Sequence, residues 1–270
     1  MIRARAFVAG RIAAALALTI LSGGCMPEPT GPGPPSGSRQ GPGLTGTLVD
    51  ESGVALPFRT VMACTYEVCF YSDTKRDGRF TFLLDEPISG VIKTEEDLRS
   101  TPRRSSPMVP ISVAANEFLD VGDVVAPSLA EGTPVDPNVS EAQTVDAGDG
   151  LFLTVTPAEI EMAPGRVLEA IAARRLPGHA IPAYASMAGG PVIAVYALHP
   201  FAAKSSTPMA VRIAAELPAG TRVWLRVIDE IDGTFSDPVP AVVRDGTIAT
   251  SAGHGITSFT HLVVVGEAAD

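Results

Sequence analysis

The chain holds 270 residues, with 20 Lys and Arg against 30 Asp and Glu, for a formal net charge of −10. That balance, with no basic stripe interleaved with aromatics, excludes nucleic-acid binding and electrostatic attraction to anionic lipid. The 26 glycines and 24 prolines suit a turn-rich exported protein.

Arg3, Arg5 and Arg11 make a basic start, and no acidic residue precedes Glu28. Ile12 to Leu21 is an apolar run of about ten residues, too short to span ~30 Å of hydrocarbon. A basic head, a short apolar core and small residues at the cut predict a secretory signal over residues 1–24. Leu21-Ser22-Gly23-Gly24-Cys25 resembles the lipobox of bacterial lipoproteins. The resemblance implies that Cys25 takes up lipid and becomes the mature N-terminus, with the outer membrane the expected destination where a cell has two. A plain cleaved secretion signal and a retained anchor are the alternatives. Several acyl chains, at ~0.8 kcal/mol per buried methylene, hold a chain on a membrane durably. Removal of residues 1–24 leaves 17 basic residues against 30 acidic ones, a net −13, so the lipid is the expected sole membrane contact.

Residues 25–43 follow as a tether. From Pro27 to Gly43 there is no large apolar side chain, and such a segment cannot bury enough surface to offset its ordering entropy. From Leu44 the pattern turns to short alternating runs. Leu44 to Val49, Thr60 to Thr65, Val68 to Thr74 and Arg79 to Leu84 read as strands, separated by Asp50-Glu51-Ser52-Gly53 and Lys75-Arg76-Asp77-Gly78. Period-two runs with Ser-Gly and Asp-Gly turns predict antiparallel sheet, with Asp77-Gly78 a hairpin signal.

Gly46, Asp50, Gly53, Leu56, Pro57, Thr74, Asp77, Gly78, Phe80 and Phe82, with a closing run Phe118 to Val124, resemble the carboxypeptidase regulatory-like domain. The resemblance covers residues 44–127 and implies a small transthyretin-type sandwich, an accessory module without catalytic residues of its own. Within it, Glu86 to Pro110, carrying Arg99, Arg103 and Arg104, is expected to be an exposed excursion.

Cys64 and Cys69 flank Thr65-Tyr66-Glu67-Val68. On one continuous strand, residues five apart face opposite sides. If Tyr66-Glu67 is a two-residue turn, Thr65 opposes Val68 and Cys64 opposes Cys69, at a separation a disulfide accommodates. An exported location favours oxidation. Two free thiols or a redox pair are the alternatives; the spacing is not C-x-x-C and no helix start follows to lower a thiol pKa.

Residues 128–149 are acidic and turn-rich and are expected to form a linker. Beyond it lie Leu151 to Thr156, Val192 to Leu198, Met209 to Ala214, Arg222 to Ile228, Pro240 to Val243 and Phe259 to Val265. Gly165 to Arg175 reads as strand or helix, with strand favoured by its neighbours. Tyr196, Leu198 and Pro200, then Leu217 to Thr221, Asp232 to Phe235 and Ser258 to His261, resemble a sandwich domain of bacterial envelope lipoproteins. That resemblance covers residues 150–266 and implies an immunoglobulin-like fold. The whole reading is an all-β protein of two β-sandwich domains behind a signal peptide and tether.

No ligand spacing joins His179, His199, His254 and His261, and no G-x-S-x-G, P-loop or G-x-G-x-x-G occurs. Neither catalytic residues, nor a cofactor, nor a metal site are therefore assigned. Asp229, Glu230, Asp232 and Asp237 cluster about Gly233; a solvated turn is the simplest account, and calcium at Asp229, Asp232 and Asp237 stays open. Trp224, between Val223 and Leu225, reads as a core or rim residue, and the tyrosines are too scattered for a sugar-stacking platform. The expected function is a non-enzymatic structural or interaction module that binds an envelope protein or glycan. The alternative is a hydrolase or accessory subunit whose residues meet only in three dimensions, around His254 and His261.

Overall fold

A computed structural model describes residues 41–267, so Cys25, the signal and most of the tether lie outside the described residues. The first strands are β1 (Gly43–Val49), β2 (Thr60–Cys64), β3 (Cys69–Asp73), β4 (Arg79–Leu83) and β5 (Ile88–Thr94). They are followed by β6 (Arg103–Arg104), β7 (Val109–Val113), β8 (Phe118–Val125) and β9 (Ser128–Leu129). Two main sheets result, in the orders β4-β1-β8 and β3-β2-β5-β7, while β6 and β9 pair separately as a two-stranded ribbon. β8 runs parallel to β1; the other pairings in these two sheets are antiparallel. Leu44, Leu48, Val61, Phe80, Phe82, Ile92, Ile111 and Val124 fill the space between them. The alternation seen in the sequence thus sorts each strand into a covered and an open face.

Two local readings change. Lys75 and Arg79 close the Asp77-Gly78 turn through a 2.8 Å backbone bond, and Gly78 has φ +76°. The strands that it joins, however, enter different sheets, so the turn is a corner rather than a hairpin. The expected excursion Glu86 to Pro110 contains β5, an inner strand of its sheet, as well as the fully buried Ser105, Ser106 and Met108. β5 was illegible because both of its faces are covered: Ile92 points into the first core while Val91 belongs to a different apolar cluster. Such a strand loses the alternation that announces it.

The remaining strands are β10 (Thr133–Pro134), β11 (Gln143–Gly148), β12 (Leu151–Val155), β13 (Ile160–Glu161) and β14 (Ala170–Arg175). Then come β15 (Val192–His199), β16 (Lys204–Ala214), β17 (Arg222–Val227) and β18 (Val239–Arg244). β19 (Thr247–Thr250), β20 (Ile256–Ser258) and β21 (His261–Gly266) complete the chain. They form one sheet in the order β10-β14-β15-β21-β17-β18-β19-β16-β12-β11, with β13 and β20 each pairing with β16 off this path. It curls until its ends meet, where the Thr133 hydroxyl on β10 donates to the Asp146 carbonyl on β11 at 2.5 Å. Leu151, Tyr196, Leu225, Phe259 and Val264 lie inside the curl. β14 resolves the strand-or-helix ambiguity in favour of strand. β11, within the segment expected to be an acidic linker, pairs with β12 and so belongs to this sheet.

The third apolar cluster lies between the outer face of β3-β2-β5 and the outer face of the curled sheet. Val91 and Met108 from the first side meet Val195, Phe201, Ile228, Val263 and Val265 from the second. A 3₁₀ segment, Ala183–Ala188, adds Tyr184, Ala185 and Ala188 to the same cluster. Each fully buried Val, Ile, Met or Phe of this cluster is stabilising by roughly 1.5–3 kcal/mol. Trp224 packs against this cluster half-buried. The protein is all-β, and the described residues, 41–267, belong to one compact unit.

Candidate functional site

The β2–β3 hairpin has the register expected for its cysteines, with Cys64 opposite Cys69 and the Thr65 amide donating to the Val68 carbonyl at 2.8 Å. The two cysteines form a disulfide with Cα atoms 4.0 Å apart. Cys64 is buried in the third cluster, whereas Cys69 borders open space.

That space is a cleft of about 980 Å³. Its floor is the outer face of the same sheet, where Thr60, Met62, Cys69 and Lys93 project. One wall is the segment from Glu95 to Arg99; Ala163 to Arg166, Phe201 and Glu230 make the other. Three sets of ion pairs line it. Arg59 pairs with Asp97. The Lys93 ammonium donates to the Glu230 carbonyl at 2.9 Å and lies 3.4 Å from its carboxylate. The Glu96 carboxylate, wholly buried, accepts from Arg166 at 2.7 Å and from His199 Nδ1 at 2.8 Å. Burial alone would raise the Asp97 carboxyl, but hydrogen bonds from Ser100 and the Arg59 charge outweigh it and hold the group below its usual range.

At the rim stands Phe58, which lines the cleft, is 75% exposed and has φ +57°. Its turn is tied to Thr74. The Phe58 amide donates to the Thr74 carbonyl at 3.0 Å and the Arg59 amide to Thr74 Oγ1 at 2.8 Å. The buried Thr74 hydroxyl in turn donates to the Leu56 carbonyl at 2.7 Å. Of the cleft residues the sequence marks Cys69, as a disulfide partner, and Glu230, in an acidic turn, and it marks none as lining a shared site. Glu96 lies 103 residues from His199 and 70 from Arg166, so no local spacing could announce their meeting. Phe58 did leave a trace, being a bulky apolar residue between Pro57 and Arg59 at a turn.

The histidines proposed as a three-dimensional hydrolytic centre make separate contacts. His254 is exposed and its Nδ1–H donates to the Ala252 carbonyl at 3.1 Å. His261 is 1% exposed; its Nε2–H donates to the Ser106 carbonyl at 3.0 Å, and its Nδ1 accepts from the Tyr184 hydroxyl at 2.6 Å. No carboxylate bonds to either ring among the described residues. Burial pushes the His261 pKa down to about 4, although the Ser106 bond opposes it, and burial raises the Tyr184 hydroxyl above its ordinary value. The pair is a polar fastener inside the third cluster. His179 Nε2–H donates to the Glu51 carbonyl at 2.7 Å, far along the chain. In the acidic cluster, Asp229 accepts from the Ile231 amide at 2.8 Å. Asp232 accepts from the amide and hydroxyl of Thr234 at 2.8 and 2.7 Å. These carboxylates are engaged in building their own turn.

No family model matches the chain, and no curated protein matches it. Among solved structures it is similar to a "putative carbohydrate binding protein" from Bacteroides uniformis, at 9% identity and TM-score 0.25, covering 83% of this chain and 78% of that one. It is also similar to two DUF3823 family proteins. For that of Parabacteroides merdae the identity is 12%, the coverage 84% and 98% and the TM-score 0.23. For that of Bacteroides ovatus the values are 8%, 83% and 97%, and 0.24. Likeness at this level carries no functional argument.

Proposed function

We propose that this chain is a lipid-anchored envelope protein, held through Cys25, that acts as a non-enzymatic binding module for an envelope protein or glycan. In this reading residues 44–127 are a transthyretin-type sandwich and residues 150–266 an immunoglobulin-like one, as the sequence resemblances imply. The observation that supports binding is the cleft. Six of its charged side chains are held by one another, and its large exposed aromatic, Phe58, sits on a turn fixed by a buried threonine. Such preorganisation reduces the ordering cost of binding, and about 980 Å³ lies at the upper end of ligand pockets.

The test has two arms. Metabolic labelling with a fatty-acid analogue should tag the protein and fail in Cys25→Ala; unchanged labelling would remove the anchor. The full chain, used as bait on envelope extracts, should retain a component. Repeated failure, together with turnover on a hydrolase panel that disappears in His261→Ala, would overturn the binding reading.

A further inference from the structure

We infer that the cleft takes an uncharged oligosaccharide, with Phe58 as its stacking face; this deepens the binding reading above and rests on it. The first ground is Phe58 itself. A non-glycine residue at positive φ is strained, by of order 1 kcal/mol or more, and glycine or asparagine would sit there more easily. A phenylalanine that is 75% exposed returns little of that cost through burial. Fold stability therefore does not call for an aromatic ring at this position. A flat apolar ring beside polar groups is what a sugar needs: the C–H face of the pyranose covers the ring while its hydroxyls turn outward.

The second ground is the charge pattern. Arg59 with Asp97, Lys93 with Glu230, and Arg166 with Glu96 are each neutral as pairs. Arg104, which also lines the cleft, pairs with Asp50 at 3.6 Å, and the two charges that remain, Glu95 and Arg99, are of opposite sign. The lining thus offers donors and acceptors side by side without the excess of either charge that an ionic ligand would require. A hydroxyl both donates and accepts, so a polyhydroxylated neutral chain satisfies both kinds of group at once. The third ground is the rigidity already described: the Thr74 bonds fix Phe58, and the ion pair beside it fixes Arg59.

Asparagine tolerates the left-handed conformation but cannot stack, so Phe58→Asn separates binding from folding. The full chain in a zwitterionic, sugar-free detergent is applied to an array of neutral hexose and N-acetylhexosamine oligomers alongside uronate oligomers, and hits are titrated. Binding to a neutral oligomer is expected, with at least a tenfold loss in Phe58→Asn, near-retention in Phe58→Tyr, and an unchanged or higher unfolding midpoint in Phe58→Asn. Binding confined to uronates, or neutral binding insensitive to Phe58→Asn, would overturn the inference. So would the absence of any glycan binding. If in that last case a protease-sensitive envelope component is retained in a Phe58-dependent way, the glycan class alone falls and the binding module stands. If nothing retained depends on Phe58, both fall.

Discussion

Acid should weaken this protein through one histidine. His261 has a folded pKa of about 4, against ~6.5 for the unfolded side chain. Between those values the unfolded chain binds a proton that the folded chain refuses. The stability that His261 confers as a neutral ring is therefore complete above about pH 6.5 and is lost as the pH falls toward 4. At 1.36 kcal/mol per pKa unit, the loss is about 3 kcal/mol, a large share of the 5–15 kcal/mol of a typical domain. The geometry explains why the proton is refused. Nε2–H already donates to Ser106, so the incoming proton must go to Nδ1, which accepts from the Tyr184 hydroxyl, and among the described residues no counterion is bonded to the resulting charge. His261→Gln can keep both hydrogen bonds and cannot titrate. Urea unfolding followed by Trp224 fluorescence from pH 4 to 8 should show wild type losing about 3 kcal/mol more than the variant over this range. Trp224 packs against the same cluster as the histidine's partner Tyr184, so it reports the right region. Equal pH dependence in the two proteins would refute the reasoning; carboxylates, common to both, cancel in the difference.

Three further outcomes are expected. Cys64→Ser with Cys69→Ser should cost about 2 kcal/mol, the entropic value for so short a loop, and wild type should show no thiol after denaturation without reductant. Thr74→Val leaves the Leu56 carbonyl and the Arg59 amide without their partner; a loss of about 1–3 kcal/mol in urea unfolding is expected, along with weaker retention of whatever the cleft binds. Gly90→Ala would place a Cβ 1.9 Å from the Cys64 carbonyl oxygen. Backbone cannot yield as a side-chain tip can, so a loss of more than ~3 kcal/mol, or no soluble protein, is expected.

The strands of the open faces were legible because alternation survives wherever one face meets water. Arg79 to Leu83 shows it plainly: Phe80 and Phe82 are buried while Arg79 and Leu83 are exposed. The cysteine bridge was legible for a related reason, since a two-residue turn determines which residues oppose one another. What escaped reading was the meeting of the two halves. β5 and β21 are covered on both faces there, so β5 lost its pattern, and β21 reads as the plain apolar run Leu262 to Val265.

The same doubling hid the cleft. Its floor comes from β2, β3 and β5, one wall from the chain beyond β5 and the other from residues near 165, 201 and 230, so its chemistry is a product of packing rather than of any motif. The buried Glu96 shows the logic. Alone it would be a prohibitive charge to bury, and on the sequence it is one acidic residue among thirty. Once the third cluster brings the two halves together, Arg166 and His199 arrive on its two oxygens, and a costly residue becomes the fixed point of a wall. Phe58 stands on the same footing: a poor choice for an isolated turn becomes intelligible only when the space beside it is seen. Residues that local propensity disfavours, and that no nearby residue explains, are therefore where a sequence of this kind is most informative about function.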